Sequence, residues 1–370
     1  MELYIYNTDL TPLGVIDEIS SFVWTRRYWS VGEFQLLVPF TPVNGKLLQK
    51  GNLLVRRGDM EAAQIQYIHI SKNTEGMDEI EVQGSFLAGW MDKRILLNQV
   101  IKTDTIQNLI YQIVTDNLTA PADAGRKFPL LSTPEEPEDT GTPEVDYVSE
   151  PFISALIAVE ALAKAAQVGF VIETDIKQQM HTFRVYKGRD LTANQTVSRP
   201  CIFSTDFDNI LEQEYENSTE NLKTVCYVGG EEKEGETRQF VTVGESEGLD
   251  RTEIFINATD ISRTYEENEI EVTIPLEQYR QLLFERGMKE MEQYAETLNF
   301  SSKINPRGNL TYRKDFDLGD RVTCINKRWG IRIDVRITEI SETYQQGETN
   351  IEVTFGESLP TLFDKINKMR

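Results

Sequence analysis

Hydrophobic and polar residues alternate through much of the first 90 positions, which is the pattern of strands that bury one face. The alternation is clear in Leu3–Tyr6 and in Ile65–Ile70, and each run is followed by a glycine-containing turn, at Pro12–Gly14 and at Asn73–Gly76. Little in this stretch has helical spacing. Residues 1–100 are therefore predicted to form a meander of strands that closes into a small β-barrel.

A helix is predicted after this β segment, because apolar residues recur at helical spacing behind an acidic N-cap. The cap is Asp104, with Gln107 at the third helical position. The apolar stripe consists of Ile106, Leu109, Ile110, Ile113 and Val114.

A second helix is predicted between Pro151, which suits a first helical turn, and Gly169, which ends the segment. Its apolar positions are Ile153, Leu156, Ile157, Ala161, Leu162 and Ala165. Two strands, Phe170–Glu173 and Thr182–Tyr186, follow as a hairpin. Residues 101–200 are thus predicted to form an α+β domain.

Residues 134–150 of this domain have a different composition, with seven acidic residues, three prolines and no basic residue. Such a segment buries too little apolar area to offset its ordering entropy. It is predicted to be a mobile acidic loop.

Strand-like alternation resumes after residue 200 and is interrupted by a helical stretch at 276–298, in which Gly287 is a weak point. We expect residues 201–230 and 301–358 to form a second small barrel, residues 231–300 a peripheral strand–helix domain, and residues 359–370 a C-terminal tail.

The last β segment repeats the pattern of the first, which suggests two copies of one module. Gly51 before Leu53–Val55 matches Gly319 before Arg321–Thr323, and Ile68–Ser71 matches Thr338–Ser341. Both copies then turn at a glycine, Gly76 or Gly347, before Ile80–Val82 and its counterpart Ile351–Val353. Any two hairpins with a glycine turn share some of these features, so the pattern alone leaves a chance likeness open.

Two motifs resemble segments of known proteins. The segment Trp24–Leu36, with its aromatic and basic residues and its Gly-Glu-Phe triplet, is similar to a segment of siphophage tail-tip proteins. The Asp-Phe-Asp-Leu-Gly-Asp-Arg-Val run at Asp315–Val322 resembles the start of the last barrel in the same proteins. The chain is therefore identified as resembling the phage baseplate and tail-tip hub family over nearly its whole length.

This resemblance implies a mainly β fold with α+β insertions, in which two similar small β-barrel tube domains are joined by peripheral α+β domains. It also implies a homotrimer whose six barrels form a ring of approximate sixfold symmetry. The expected neighbours are a distal tail or tail tube protein above the ring and a spike, fibre or lysin protein below it, with a tape-measure protein as a further candidate. The expected location is the virion tail tip, after assembly in the host bacterial cytoplasm.

The charge of the chain argues against nucleic-acid binding. The formal net charge is −22, and residues 201–270 hold 18 acidic against 5 basic residues. Such a surface repels the phosphate backbone. We expect DNA to pass through the ring without specific binding, and we expect no membrane insertion, because no run of about 18 apolar residues occurs.

No catalytic, cofactor or metal site is predicted. The only histidines, His69 and His181, lie outside any nucleophile motif, the first on a strand face and the second at a hairpin turn. The aspartates of Asp315–Asp320 lack the further ligands of a calcium loop. The cysteines are Cys201, Cys226 and Cys324, and they are expected to be buried free thiols.

An aromatic and basic cluster is the best candidate for a protein interface, because Trp, Tyr and Arg dominate many binding energies. Its members are Trp24, Arg26, Arg27, Tyr28 and Trp29. An alternative assignment places Trp24 and Tyr28 in the barrel core and the two arginines in solvent.

The predicted function is therefore that of a non-enzymatic structural hub. The alternative is a tail protein that binds host cell-wall glycan or degrades peptidoglycan. Because few residues follow the last strand, we expect any wall-degrading activity to reside in another polypeptide.

Overall fold

The structure is a computed structural model that describes residues 1–72, 76–150, 152–232, 235, 237–267, 270–305, 307–345 and 347–356. The predicted tail at 359–370 and the predicted helix start at Pro151 lie outside the described residues, as do parts of the turns near residues 74 and 346.

Strands account for most of the regular structure. They are β1 (Leu3–Tyr6), β2 (Pro12–Ile16), β3 (Ser21–Arg27), β4 (Glu33–Pro39), β5 (Leu53–Arg56), β6 (Ala62–Lys72), β7 (Asp78–Phe86), β8 (Ile101–Thr105), β9 (Leu131–Ser132), β10 (Glu144–Val148), β11 (Gly169–Asp175), β12 (Met180–Tyr186), β13 (Ile202–Ser204), β14 (Ile210–Ser218), β15 (Val225–Gly229), β16 (Phe240–Val243), β17 (Glu253–Asn257), β18 (Thr264–Glu267), β19 (Ile270–Thr273), β20 (Thr297–Ile304), β21 (Arg321–Asn326), β22 (Ile331–Gln345) and β23 (Glu348–Gly356). The α-helices are α1 (Pro42–Leu47), α2 (Ile106–Val114), α3 (Ala155–Ala166) and α4 (Leu276–Met291).

The chain forms two compact units. Unit 1 contains residues 1–214 and 300–356, and unit 2 contains residues 215–299. Residues 215–230, which the sequence analysis assigned to the second barrel, therefore lie in unit 2. The finer division into four domains and a tail stays a prediction.

One large sheet runs through unit 1, and the predicted mainly β fold is confirmed. The strand order along it is β14-β20-β23-β22-β3-β4-β7-β6-β5-β1-β2, with β21 paired to β22 and β13 paired to β21. Within the described residues the two ends of this path do not pair, so the prediction of two closed barrels is not confirmed. The first and last β segments of the chain instead share one continuous sheet, because β3 pairs with β22.

Helix α2 belongs to a helical layer of unit 1. Its predicted apolar stripe is confirmed, because all five residues of that stripe are buried. The N-cap is Thr105 rather than Asp104, and its hydroxyl accepts the backbone N–H of Asn108 at 3.3 Å. Asp104 instead accepts the N–H of Thr105 and the amide of Asn108, each at 2.8 Å.

The predicted apolar face of α3 is confirmed only in part. Leu162 is buried and Ile153 and Leu156 pack against the core, but the other three predicted positions are exposed. The buried positions of α3 are Ala155, Ala158, Val159, Leu162 and Ala163. Ile157 is exposed, because the buried stripe of this alanine-rich helix follows its small residues, which allow close packing. The predicted hairpin is confirmed as β11 and β12, which pair in antiparallel register.

Part of the predicted mobile acidic loop is ordered structure. Residues Glu144–Val148 form β10, which pairs with β8 along its whole length. The buried Gln107 side chain donates to the carbonyl of Glu138 at 2.7 Å and accepts the N–H of Thr140 at 2.9 Å. The backbone hydrogen bonds from β8 and the buried amide of Gln107 stabilise this segment, although its own side chains bury too little area to order it.

Unit 2 packs a three-stranded sheet, β16-β15-β17, against α4. Its core contains Cys226, Val228, Val243, Tyr279 and Leu283. Gly287 is buried in this contact, and a Cβ there would lie 2.6 Å from the Val243 side chain and 2.7 Å from that of Val228. The glycine that is unfavourable for the helix is therefore required for the approach of α4 to the sheet. Across the described residues, no helix is long and apolar enough to cross a membrane.

Candidate assembly site at the junction of two repeated sheets

The large sheet of unit 1 contains the same five-strand arrangement twice. We call β3-β4-β7-β6-β5 the first copy and β14-β20-β23-β22-β21 the second copy, because both have the same neighbour order and each ends in a three-strand meander. Beyond these strands the copies differ, since β5 pairs with β1 in antiparallel fashion whereas β21 pairs with β13 in parallel.

The equivalence extends to individual hydrogen bonds. Gly51 N donates to Ile65 O at 2.8 Å and Ile65 N donates to Asn52 O at 2.9 Å. In the second copy Gly319 N donates to Ile337 O at 2.9 Å and Ile337 N donates to Asp320 O at 2.8 Å. A register shift follows both isoleucines, between Ile65 and Tyr67 and between Ile337 and Glu339. A shared β-bulge at the same place makes a chance likeness of two hairpins untenable.

The glycine correspondences predicted from sequence are confirmed. Gly51 and Gly319 have φ of +92° and +88°, and the turn glycines Gly76 and Gly347 have φ of +82° and +85°. These values lie where a side chain is strained, so glycine is needed at both positions of both copies.

One predicted correspondence is displaced by two residues. Ile68 pairs with Val82 in the first copy, and Ile340 pairs with Val353 in the second. Because Val82 and Val353 are equivalent, Ile68 corresponds to Ile340 rather than to Thr338. The bulge is common to both copies and does not cause this displacement. The second hairpin is longer, because Ile65 follows Gly51 by 14 residues whereas Ile337 follows Gly319 by 18.

The two copies are joined where β3 of the first pairs with β22 of the second, a contact that we call the seam. Seven residues of β3, from Ser21 to Arg27, pair with Gln345 to Glu339 in antiparallel register. The ladder continues through Tyr28, whose N–H donates to Thr338 O at 2.9 Å.

Arg26 lies at the centre of a buried polar cluster on the seam. Its guanidinium forms an ion pair with Glu61, and Nη1 donates to Asp317 Oδ1 at 2.8 Å and to the hydroxyl of Tyr312 at 3.0 Å. Burial raises the pKa of the Glu61 carboxyl, and the adjacent Arg26 opposes that rise. The cluster connects two residues of the first β segment to two residues of the last.

A second ion cluster surrounds the buried carboxylate of Asp59. Arg56 Nη2 contacts Asp59 Oδ2 at 2.8 Å and Glu342 Oε1 at 2.7 Å, while Arg313 Nη2 contacts the same Asp59 oxygen at 2.7 Å. Burial alone would raise the pKa of Asp59, but Arg313 and Arg56 lower it below its ordinary value. These pairs again connect the first and last β segments, so charge as well as backbone pairing holds the seam.

The five sequence-predicted interface residues all lie on or next to β3, and the structure gives most of them a role within the chain. Trp24 and Tyr28 have no exposed surface. Arg27 forms ion pairs with Glu33 at 2.6 Å and with Glu339 at 2.7 Å. The two aromatic residues are therefore buried, as the alternative assignment expected, although no closed barrel surrounds them among the described residues. Neither arginine is simply solvated. A contact of Arg27 or the half-buried Trp29 with another protein stays a prediction.

Tyr28 connects the seam to the helical layer. Its hydroxyl donates to Gln167 O at 3.2 Å and accepts the N–H of Gly188 at 3.2 Å. The Arg336 guanidinium lies over its ring at 5.2 Å from the centroid. Burial raises the pKa of this phenol, so the hydroxyl stays protonated and can donate.

The two histidines considered for chemistry lie on strands. His181 lies inside β12 rather than at a turn, is fully buried, and has a pKa lowered by burial to about 4. His69 lies on β6 beside Glu81, at 3.7 Å. Within the described part of the chain, no cluster of His, Cys, Asp or Glu is arranged to hold a metal ion.

The aspartates near residue 317 are each engaged by the chain itself. Asp315 accepts the N–H of Thr311 at 2.8 Å, Asp317 pairs with Arg26, and Asp320 accepts Arg189 Nη2 at 2.6 Å. All three cysteines are free and buried, as expected from sequence. Burial raises the pKa of Cys201 to about 12.

Sequence reasoning missed the acidic partners on the seam, Glu61, Asp59 and Glu342. Each belongs to a strand or turn whose own pattern is ordinary. The pairing of β3 with β22 places Glu342 beside Trp24, where it meets Arg56. Asp59 follows Arg56 by three residues, and Glu61 meets Arg26 within the first β segment. The one available signal was the presence of Arg26 and Arg27 on a strand otherwise suited to a core.

Comparison with known sequences and structures agrees with this geometry. The family described as Siphovirus ReqiPepy6 Gp37-like protein matches residues 2–357. The chain belongs to this family. The resemblance to phage tail proteins stated from the two motifs is thereby confirmed. No curated protein matches the sequence.

The fold is similar to those of solved phage tail proteins. The tail protein of Neisseria meningitidis MC58 has a TM-score of 0.56 at 12% identity, with 96% of each chain covered. The 43 kDa tail protein of prophage MuSo2 from Shewanella oneidensis has a TM-score of 0.55 at 13% identity, with 96% of this chain and 98% of that chain covered. Prophage tail protein gp18 of Listeria monocytogenes EGD-e has a TM-score of 0.51 at 12% identity, with 100% and 98% covered.

Proposed function

We propose that this protein is a non-enzymatic structural hub of a phage or phage-like tail tip, which forms a homotrimeric ring of approximate sixfold symmetry. The observation that carries the proposal is the seam, where two copies of one sheet lie edge to edge within a single chain. The family and the tail-protein fold support a role in the virion tail.

The duplication has a direct consequence for symmetry. A chain that contains two equivalent sheets side by side presents two near-equivalent surfaces to a neighbour above or below it. Three such chains present six, which matches a sixfold tube without needing six chains. A closed ring also leaves no unsatisfied end from which a filament could grow.

The proposed partners are a distal tail or tail tube protein on one face of the ring and a spike, fibre or lysin protein on the other, with a tape-measure protein as a further candidate. Assembly would take place in the host bacterial cytoplasm, before the particle is released. The excess of acidic residues at 201–270 supports passage of DNA without specific binding, because like charges repel.

The test is the mass and symmetry of the purified chain. Light scattering coupled to size exclusion is expected to give three times the chain mass of 42.4 kDa, and negative-stain class averages are expected to be threefold rings with six peripheral lobes. A species that stays monomeric at every concentration, or rings of another order, would contradict the proposal.

A second candidate is binding to host cell-wall glycan, which two exposed aromatic residues of unit 2 favour. Phe240 and Phe255 lie with ring centroids 6.5 Å apart, and the Arg238 guanidinium lies over both. Exposed aromatic patches often mark binding surfaces. Zymography and pull-down with host peptidoglycan decide this question: a lytic band or retention that is lost in Phe255→Ser would favour the second candidate.

A further inference from the structure

The outer half of β6 has an edge with no strand beside it among the described residues. β5 pairs with β6 only at Ala62–Gln64, whereas β7 pairs with β6 from Ala63 to Lys72. Beyond the bulge, residues Ile68–Lys72 therefore have a partner on one side and none on the other. We call this segment the open edge.

The direction of the backbone groups along the open edge follows from the neighbouring ladder. Phe40 N donates to Asp78 O at 2.8 Å, so Asp78 and Ile80 of β7 point their backbone groups towards β4. Because these directions alternate along an antiparallel strand, Glu79 and Glu81 point towards β6 and bond to their partners Ser71 and His69. Ile68, Ile70 and Lys72 consequently point their N–H and C=O groups outward.

The equivalent edge of the second copy is covered. Ile70 pairs with Ile80, and Glu342 of β22 pairs with Ile351, the counterpart of Ile80. Glu342 is thus the equivalent of Ile70, and on its other side it pairs with Trp24 of β3. In the second copy, β3 occupies this edge of β22. In the first copy, the equivalent edge of β6 is vacant among the described residues.

The counterpart of β3 in the second copy is β14, which is the last strand at its end of the sheet. It has β20 on one side and no strand on the other within the described residues. The vacant edge of β6 and the outer edge of β14 are therefore the two halves of a second seam that a single chain cannot complete.

We propose that the open edge of β6 pairs in antiparallel fashion with β14 of a second copy of this chain, so that the seam between the two sheets of one chain is repeated between chains. This inference rests on the proposed ring and names the contact that closes it. Alternating seams, one inside each chain and one between chains, would give six joints around a trimer.

The side chains at the two edges favour this pairing. Ile70 of the open edge is exposed by 56%, Tyr67 directly before that edge by 47%, and Leu211 of β14 by 52%. The first edge also contains the cation Lys72, whereas β14 contains the acids Glu212 and Glu214. An exposed strand edge with apolar side chains attracts other strands unless a specific partner covers it.

The decisive variant is Ile70→Pro, compared with Ile70→Thr. Both remove the exposed apolar side chain, but only proline removes the outward N–H and prevents pairing on that edge. Proline is tolerated where the missing N–H would face solvent, so the monomer is expected to keep its fold and its thermal transition. Sedimentation velocity over a dilution series is expected to show a trimer for the wild type and for Ile70→Thr, and a monomer for Ile70→Pro.

The matched control is Glu342→Pro compared with Glu342→Thr at the internal seam. Both lose the ion pair with Arg56, but only proline removes the N–H that faces β3. Glu342→Pro is therefore expected to destabilise the monomer more than Glu342→Thr does. Carbodiimide coupling adds positional evidence: we expect a covalent trimer in which Lys72 of one chain is linked to Glu212 or Glu214 of the next.

The outcomes separate this inference from the proposed function. A wild-type trimer that persists unchanged in Ile70→Pro would overturn the strand pairing and leave the hub intact. A trimer whose mapped links exclude Lys72 and β14 would do the same. A wild-type chain that never forms trimers would overturn both.

Discussion

The two equivalent glycines of the repeated sheets offer a matched test of how the seam is packed. Gly51 and Gly319 make the same backbone hydrogen bonds in their copies and have nearly the same positive φ. Their surroundings differ. A Cβ at Gly51 would meet nothing within 4 Å, whereas a Cβ at Gly319 would overlap the Tyr28 ring, with Cδ2 only 2.7 Å away.

The cost of alanine at the two positions can be estimated separately. Positive φ alone costs a non-glycine residue about 1–2 kcal/mol, so Gly51→Ala is expected to lower the free energy of unfolding by that amount. Gly319→Ala has the same strain plus overpacking against Tyr28, which adds about 1–3 kcal/mol. Tyr28 cannot move away cheaply, because it is fully buried and its hydroxyl bonds Gln167 and Gly188.

The assay is urea unfolding of the two variants followed by tryptophan emission. All four tryptophans, Trp24, Trp29, Trp90 and Trp329, lie in unit 1, so this signal reports the unit that contains the seam. We expect Gly319→Ala to have the lower midpoint, with the gap between the variants reflecting the contact with Tyr28. Equal losses in the two variants would refute this account of the packing.

Three further predictions concern buried groups. Arg26→Met leaves the Glu61 carboxylate buried without its counter-ion. We expect this variant to lower the free energy of unfolding of unit 1 in urea by about 3–5 kcal/mol. The control Arg57→Met removes an exposed ion pair and is expected to cost about 0–1 kcal/mol. Burial raises the pKa of Glu160 from 4.5 to about 7, so the folded state binds the extra proton and loses stability as pH rises through that window. Glu160→Gln should therefore raise the free energy of unfolding by about 3 kcal/mol at pH 8 and leave it nearly unchanged at pH 4. A gain that is equal at both pH values would contradict the assignment. In unit 2, Gly287→Ala forces a methyl group against Val243 and Val228 and is expected to cost about 1–3 kcal/mol despite the better helix propensity of alanine. Faster thiol labelling of Cys226, which lies in the unit 2 core, with unchanged tryptophan emission would show the local effect.

The sequence was sufficient to predict those elements whose pattern is local. The apolar stripe of α2 follows a single helical period, and the hairpin of β11 and β12 has two alternating runs with a polar turn. The repeat was also detectable, because the positive-φ glycines at 51, 76, 319 and 347 are a requirement that no other residue meets well.

The seam could not be predicted, because it depends on pairing between residues more than 300 positions apart. β3 and β22 each look complete as strands, and only their antiparallel register brings Arg27 beside Glu339. The same limit explains the acidic segment at 134–150. Its composition indicates disorder, but β8 supplies the backbone partners that its side chains lack.

The internal seam and the proposed seam between chains should respond differently to salt. The internal one has buried ion pairs around Arg26 and Arg56, and its two strands are tethered in one chain, so dilution cannot separate them. The proposed one brings together chains that each have a formal charge of −22, and their mutual repulsion opposes the backbone hydrogen bonds and the apolar contacts of Tyr67 and Ile70. Since salt screens repulsion between exposed charges, the trimer should become tighter as ionic strength rises, with a lower dissociation constant in sedimentation velocity. Dissociation by salt would instead mean that attraction between Lys72 and the acids of β14 dominates the contact.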